Sequence, residues 1–256
     1  LEMLKTFPGV SIPREALDND QWALNCINGT IDLRTGTLKP HNRADLNTRM
    51  IQTQYDPAAK CPEWERFLVD IFAGDRAMAE WIQLAVGYSL TGDTREQCFF
   101  VLHGNGRNGK STFVNTIMDL LGQYSLETQA ETLMVKQGQQ NNTNDLARLA
   151  GARLVSANET EENQRLAEAR VKALTGGDKI TARFLHREFF DFRPCFKLWL
   201  RSNHRPVIRG TDDGIWRRIW LIPFNVCFKG REDKNLADKL RSEAPGILAW
   251  AVRGCL

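Results

Sequence analysis

The sequence predicts an α/β fold: a parallel sheet flanked by helices, preceded by a small β-rich segment and a helical pair. Three observations carry that prediction. From residue 96 onward, short apolar runs alternate with helical patterns, as in strand–helix–strand units. A glycine-rich turn separates the first of these runs, "CFFVL", from a helix, "TFVNTIMDLLG". Residues 20–55, by contrast, carry hairpin punctuation, and residues 61–95 carry two helical periodicities.

The elements follow in order. In "WALNCINGTIDL", Asn28-Gly29 lies between two apolar runs, a hairpin signal, and "LRTGTL" adds a turn at Gly36. This gives a β-rich region over residues 1–60. Pro62 suits a first helical turn, with Glu63 and Glu65 at its positive end. Trp64, Phe67, Leu68, Ile71 and Phe72 share one helical face, and Gly74 marks the stop. A second helix over 76–90 turns Met78, Trp81, Ile82 and Ala85 inward, completing a helical collar or oligomerisation region over 61–95. In the third region, 96–256, "CFFVL", "ARLVSANE", "FKLWLRSN" and "IWLIPF" read as strands. Short helices are expected at "NDLARLA" and before Arg217, and a longer one over "NQRLAEARVKALTGG". "VKQGQQNNTN" reads as a polar, mobile loop.

Composition narrows the class. With 256 residues, 42% hydrophobic and 25% charged, the chain is long enough for a buried core and ordinary for a globular protein. Its apolar runs fall far short of the ~18 residues that span a bilayer, and no signal segment opens it. A start at Leu1-Glu2 is expected of a piece of a longer protein. Six cysteines show no CxxC and no zinc spacing, which fits reduced thiols in a cytoplasm. Net charge is +3, but residues 179–218 hold 10 basic and 4 acidic residues, a local excess of +6 suited to a polyanion.

The glycine-rich turn carries the clearest chemistry. Gly104, Asn105, Gly106, Arg107, Asn108, Gly109, Lys110 and Ser111 fill the pattern GxxxxGK[ST], with Thr112 next, between an apolar strand and a helix. Glycines let backbone N–H groups wrap phosphates, and the helix N-terminus favours the anion. Lys110 can reach the β- and γ-phosphates and Ser111 can hold Mg²⁺. Glu159, after the strand in "RLVSANETEE", can orient water, with Asn158 in the metal's outer shell; a solvated acidic helix start is the alternative. Asn203 ends another strand beside the expected γ-phosphate, where a simple turn residue is the alternative. Arg217 and Arg218 can serve as a finger on a neighbouring subunit's phosphate or lie as plain surface charges. "DKITARFLHREFFDF" reads as a hairpin with His186 and Arg187 near its tip and Lys179 and Arg183 on its first arm, able to grip a phosphate backbone.

Taken together these residues resemble the superfamily 3 helicases, above all the helicase part of phage- and plasmid-encoded primase–helicases, relatives of the poxvirus primase–helicase. "NGTIDLRTG", "WERFL", "LTGDTREQ", "GNGRNGKST", "RLVSANETEE", "VKALTGGDKITARFL", "KLWLRSNHRP" and "IWRRIWLIPF" occur in that family's order through nearly all the chain. The resemblance implies an AAA+-like P-loop ATPase that uses ATP and Mg²⁺ and assembles as a ring, usually a hexamer, around single-stranded DNA. It implies 3′→5′ movement in replication of a phage, prophage or plasmid. By motif match it makes residues 104–111 the Walker A loop, Glu159 the Walker B acid beside Ser111 at the metal, and Asn203 the sensor. It makes Arg217 or Arg218 the finger, and Lys179, Arg183, His186 and Arg187 the DNA-binding hairpin residues. Where many members carry two adjacent acids, this chain has Asn158-Glu159, which leaves open a part for Glu161. The family leaves room for a primase domain upstream and a winged-helix-like part after "GILAWAVRGCL". Two alternatives stay open: a P-loop kinase or GTPase, against which stand the missing NKxD and the missing lid-like arginine run, and a nucleotide-binding DNA-binding or assembly module without unwinding activity.

Overall fold

The computed structural model describes residues 12–13, 16–135, 143–158 and 164–256. Three short strands, β1 (Ala23–Cys26), β2 (Gly29–Asp32) and β3 (Thr37–Lys39), form an antiparallel sheet in that order. The first turn is displaced by one residue from the Asn28-Gly29 centre that the sequence predicts, because Cys26 pairs with Gly29 and leaves Ile27-Asn28 in the turn. Tertiary bonding decides this. The Asn28 side chain donates to the Tyr55 carbonyl and accepts from the Tyr55 N–H, both at 2.9 Å. Gly29 lies so close to β3 that a Cβ would stand 2.4 Å from the Lys39 oxygen.

Helix α1 (Pro62–Ile71) buries Trp64, Phe67, Leu68 and Ile71, the predicted face. It ends at Gly74, whose φ of 82° lets its N–H reach the Val69 carbonyl at 2.8 Å. Asp75 caps α2 (Arg76–Leu90) through the Met78 N–H at 2.9 Å. The remaining elements are β4 (Phe99–His103), α3 (Lys110–Leu121), β5 (Ser125–Gln129), α4 (Asn144–Arg148), β6 (Leu154–Asn158), α5 (Glu168–Thr175) and β7 (Ile180–Ala182). They continue with β8 (Phe190–Phe192), β9 (Lys197–Ser202), α6 (Asp213–Trp216), β10 (Ile219–Pro223), α7 (Leu236–Ser242) and α8 (Ala244–Cys255).

Five of the strands form one parallel sheet in the order β10-β4-β9-β6-β5. Strand β5, "SLETQ", has no sequence signal: as an edge strand it has one neighbour and keeps polar residues. Helix α5 is shorter than the predicted helix. Arg165 and Leu166 are extended instead, with Leu166 N–H on the Val207 carbonyl at 3.0 Å and Val135 N–H on the Arg165 carbonyl at 2.8 Å. The "VKQGQQNNTN" loop lies mostly outside the described residues.

Alternate residues of β4 enter two cores: Phe100 and Leu102 on one face, Phe99 and Val101 on the other. The first core contains β1, β2, α1, α2, α3 and α8 together. At its centre Trp64 stacks on Phe113 at 5.6 Å and meets Trp250 edge-on at 5.4 Å. Glu243 accepts the Glu63 and Trp64 N–H groups, each at 3.0 Å, and so caps α1 from the far end of the chain. The segments that the sequence divides at residues 60 and 95 therefore share one core, and the aromatics of 61–95 are spent on the chain's own interior.

Three cations fasten the small β region and the α2–β4 connection to the amino-terminal end of the large sheet. Arg153 donates to the Leu90 and Ala23 carbonyls at 2.7 and 2.6 Å, and Arg49 to those of Gly151 and Ala150 at 2.6 and 2.8 Å. Lys197 donates to the Thr91 and Asp93 carbonyls at 2.5 and 3.1 Å. The charge-assisted bonds of the two arginines contribute about 1.5–3 kcal/mol each.

Candidate functional site

The turn between β4 and α3 is built by contacts that admit few other residues. Gly104 has φ 154°, and a Cβ there would stand 2.1 Å from the Phe224 oxygen. Gly109, at φ 87°, opens α3 and lies against Ile71, leaving no room for a Cβ. Between them Asn108 is buried: its amide donates to the Phe224 carbonyl at 3.0 Å and its oxygen accepts from the Lys110 N–H at 3.4 Å. Arg107, with φ 60°, accepts the Phe228 N–H at 2.8 Å, while Gly106 faces open space. Asn105 and Ser111 are exposed and Thr112 is half-buried at the lip.

Lys110 is 6% exposed, and its ammonium donates to the Gly104 carbonyl and, at 3.2 Å, to Asn203 Oδ1. The two residues lie 93 positions apart. They meet because β9 runs beside β4 in register, His103 level with Ser202, so that Asn203 leaves the sheet next to the turn. Burial pushes the Lys110 ammonium below its ordinary range. Burial, followed by the charges of Arg205, Lys110 and His204, also lowers the His103 imidazole. The loop end of the sheet is thus cationic and partly desolvated.

Strand β6 lies on the far side of β9 and ends at Asn158. Glu159 and Glu161 lie outside the described residues. Sequence reasoning missed three residues that meet at this end of the sheet: Asn115 on α3, Glu127 on β5 and Arg201 on β9. Glu127 belongs to the strand without a sequence signal, and Asn115 reads as one more polar residue of a helix.

Arg217 and Arg218 stand at the opposite end of the sheet, where the Arg218 carbonyl accepts the Phe99 N–H at 2.7 Å. Strand β4, about 16 Å long, separates them from Lys110. Sequence leaves the two equivalent; structure separates them. Arg218 is 7% exposed and donates to Thr175 Oγ1 at 3.2 Å and to the Gly214 carbonyl. Arg217 is exposed, with its guanidinium on Gln97 Oε1.

Strands β7 and β8 pair antiparallel, Ala182 with Phe190, and give the expected hairpin. Lys179, at the start of its first arm, and Arg183, His186 and Arg187, between its strands, are all exposed. Arg183 stacks over the Phe189 ring at 4.6 Å, and its N–H is fixed by Thr143 Oγ1 at 3.0 Å. Phe184, Leu185 and Phe189 are exposed beside these charges. The +6 of residues 179–218 is not all surface: Lys197, Arg201 and Arg218 are buried and bonded within the chain.

No helix among the described residues is long and apolar enough to cross a membrane. Residues 2–73 match a family described as "D5 N terminal like", and residues 102–218 match a "Family of unknown function (DUF5906)". The chain is 30% identical over 212 residues to a "Putative helicase" of Acanthamoeba polyphaga mimivirus, covering 81% of this chain and 22% of that protein. It is 22% identical over 228 residues to a "Putative primase" of African swine fever virus (isolate Tick/Malawi/Lil 20-1/1983), covering 86% and 24%. The chain thus spans about a quarter of the length of these curated relatives. Its fold is shared with the NrS-1 C-terminal region at a TM-score of 0.63 and 14% identity, over 80% of this chain and 49% of that one. Residues 2–73 thus carry the D5 N-terminal-like sequence, most of the chain is similar to putative helicases and primases of large DNA viruses, and the likeness to the NrS-1 C-terminal region is one of fold.

Proposed function

We propose that this chain is the ATP-hydrolysing module of a replicative DNA helicase of the superfamily 3, AAA+-like kind. The observation that carries the reading is the contact between Lys110 and Asn203 at the lip of a complete phosphate-binding turn. In this reading a triphosphate takes over the Lys110 ammonium from the Gly104 carbonyl. Asn203 then lies beside the γ-phosphate, where it can orient the attacking water. The backbone amides of the turn and the start of α3 hold the β-phosphate. A cavity of about 490 Å³ beside Arg107, Gly109 and Thr112 leaves room for the nucleoside. Ser111, exposed at the first turn of α3, would hold Mg²⁺ with the phosphates and Glu159; the ion would supply charge neutralisation.

An arginine at the far end of the sheet cannot serve its own turn, so the finger acts between copies arranged as a ring. Arg217 suits that part because it is exposed. The hairpin delivers the motion to single-stranded DNA through Lys179, Arg183, His186 and Arg187, with 3′→5′ polarity by resemblance. A primase domain in the longer protein is compatible with the relative named as a primase.

The test is ATP turnover with and without single-stranded DNA. DNA is expected to stimulate turnover. Changing His186 and Arg187 together to Ala should keep the basal rate and the melting temperature while stimulation and strand separation fall. Binding should lose about 0.7 of its log–log salt slope per phosphate contact removed. Turnover indifferent to DNA would instead favour another P-loop enzyme class.

A further inference from the structure

At the loop end of the sheet, four polar side chains from four elements form one chain of hydrogen bonds. Arg201 on β9 donates through one terminal nitrogen to Asn115 Oδ1 at 3.0 Å and through the other to Glu127 Oε1 on β5. The same Glu127 oxygen accepts the Asn158 amide, from the last residue of β6, at 2.6 Å. The register explains the meeting: Arg201 is level with Asn158, and Glu127 is level with Ser156 on the same face. Asn115 lies four residues after Ser111, so it stands one turn below Ser111 on the same side of α3. The chain therefore runs from the helix of the phosphate-binding turn to the strand end that leads into Glu159.

Stability alone does not account for this arrangement. Arg201 is 8% exposed, and its buried Nε has no partner among the described residues. A buried guanidinium left partly unsatisfied costs folding free energy. The arrangement gives a fixed position instead: the fork holds the Glu127 carboxylate, and the carboxylate holds the Asn158 amide. It also sets the chemistry of that pair. An Asp at 158 would face the Glu127 carboxylate at hydrogen-bond distance with one guanidinium between them, so the pair accommodates one acid and one amide.

We propose that Glu127 and Asn158 are a matched acid–amide pair, anchored by Arg201 and Asn115, that positions the end of β6 for the hydrolysis step. The acid that the β6 end lacks at 158 is supplied from the neighbouring strand. Glu127, Arg201 and Asn115 are positioning residues in this scheme, and the inference rests on the ATPase reading.

The experiment measures kcat, KM for ATP, affinity for a fluorescent ATP analogue and melting temperature for the wild-type chain, N158D, E127Q, the double variant N158D/E127Q, and R201K. N158D should lose about tenfold or more in kcat, with analogue affinity within about twofold. The double variant moves the acid to β6 and the amide to β5, and should recover to within about threefold of wild type. R201K keeps the charge but loses the fork, and should lower kcat without moving analogue affinity. A double variant no more active than N158D overturns the inference, as does a fall in kcat that tracks melting temperature across all variants. A wild-type chain that does not turn over ATP overturns the ATPase reading and this inference together, so the two failures are told apart by the wild-type rate.

Discussion

Lys110 and Lys197 are both buried, at 6% and 1% exposure, and stand at opposite ends of the same sheet. Lys197 is enclosed by the Thr91 and Asp93 carbonyls, the Thr91 hydroxyl at 3.3 Å and the Tyr88 ring at 4.6 Å. Each of these partners comes from the α2 end or the α2–β4 connection, and each is fixed by the fold. Lys110 has one backbone acceptor and one side chain, Asn203, beside a glycine turn that opens outward. A buried cation with a closed shell of carbonyls fastens two parts of the chain. A buried cation with a half-open shell stands ready for an anion. The same contrast holds for the arginines: Arg153 and Arg218 are consumed by the interior, while Arg217 and the hairpin arginines are not.

The comparison breaks if the two lysines respond alike to truncation. Lys110→Ala should lower ATP turnover by about 10²–10³-fold or more, since a contact to developing charge is lost, and should leave the melting temperature nearly unchanged. Lys197→Ala should do the reverse. It strands buried carbonyls, each costing about 1–3 kcal/mol, and the folded fraction that remains should turn over ATP at the wild-type rate per molecule. Denaturant titration and turnover on one preparation separate these outcomes.

A smaller effect sharpens the contrast at Arg217 and Arg218. Arg218→Ala should cost about 1–3 kcal/mol of stability, because Thr175 and Gly214 lose their donor. Arg217→Ala should leave stability unchanged and remove turnover in assemblies. Mixing Arg217→Ala with Lys110→Ala subunits should restore some activity, because a mixed interface can join an intact turn to an intact finger. Mixtures that never exceed the sum of the two parents assign Arg217 to the surface.

The smallest effect is in pH. Burial pushes Lys197 down to about 7, whereas an unfolded lysine titrates near about 10.4. Above pH 7 the unfolded chain binds more protons at this residue than the folded one, so stability rises with pH. The rise should be clear from pH 7 to about 8.5. Above that range two thiols, Cys61 buried and Cys98 half-buried, act with the opposite sign. Cys98 is pushed up to about 11 and Cys61 to about 12, so the unfolded chain loses those protons first and stability falls. Denaturant midpoints at pH 7 and 8.5 should differ in the wild-type chain and converge in Lys197→Met.

Much of the site was legible because its signals are local. The turn from Gly104 to Ser111 needs glycines, a lysine and a hydroxyl at fixed spacing, and strand and helix flank it in the sequence itself. Trp64, Phe67, Leu68 and Ile71 announced α1 by period, and the β7–β8 hairpin announced itself by alternation around "LHRE". Signals failed where a distant partner decides. Ile27-Asn28 holds the first turn because Asn28 is drawn to Tyr55, and residues 164–167 stay extended because Val207 and Met134 pair with them. Strand β5 escaped notice because an edge strand can be polar, and Glu127 was lost with it.

The sequence by itself determined the class of sheet, the position of the glycine-rich turn and the identity of the candidate residues, since each follows from composition within a short window. Only the tertiary structure decided what each charge does. Lys110, Lys197, Arg201, Arg217 and Arg218 look alike in sequence, but each has a side-chain or backbone partner that lies tens to more than a hundred residues away. Strand order brought Asn203 to Lys110, Glu127 to Asn158 and the Thr91 carbonyl to Lys197, and a cation's role is set by whether the groups around it close its shell or leave one side open.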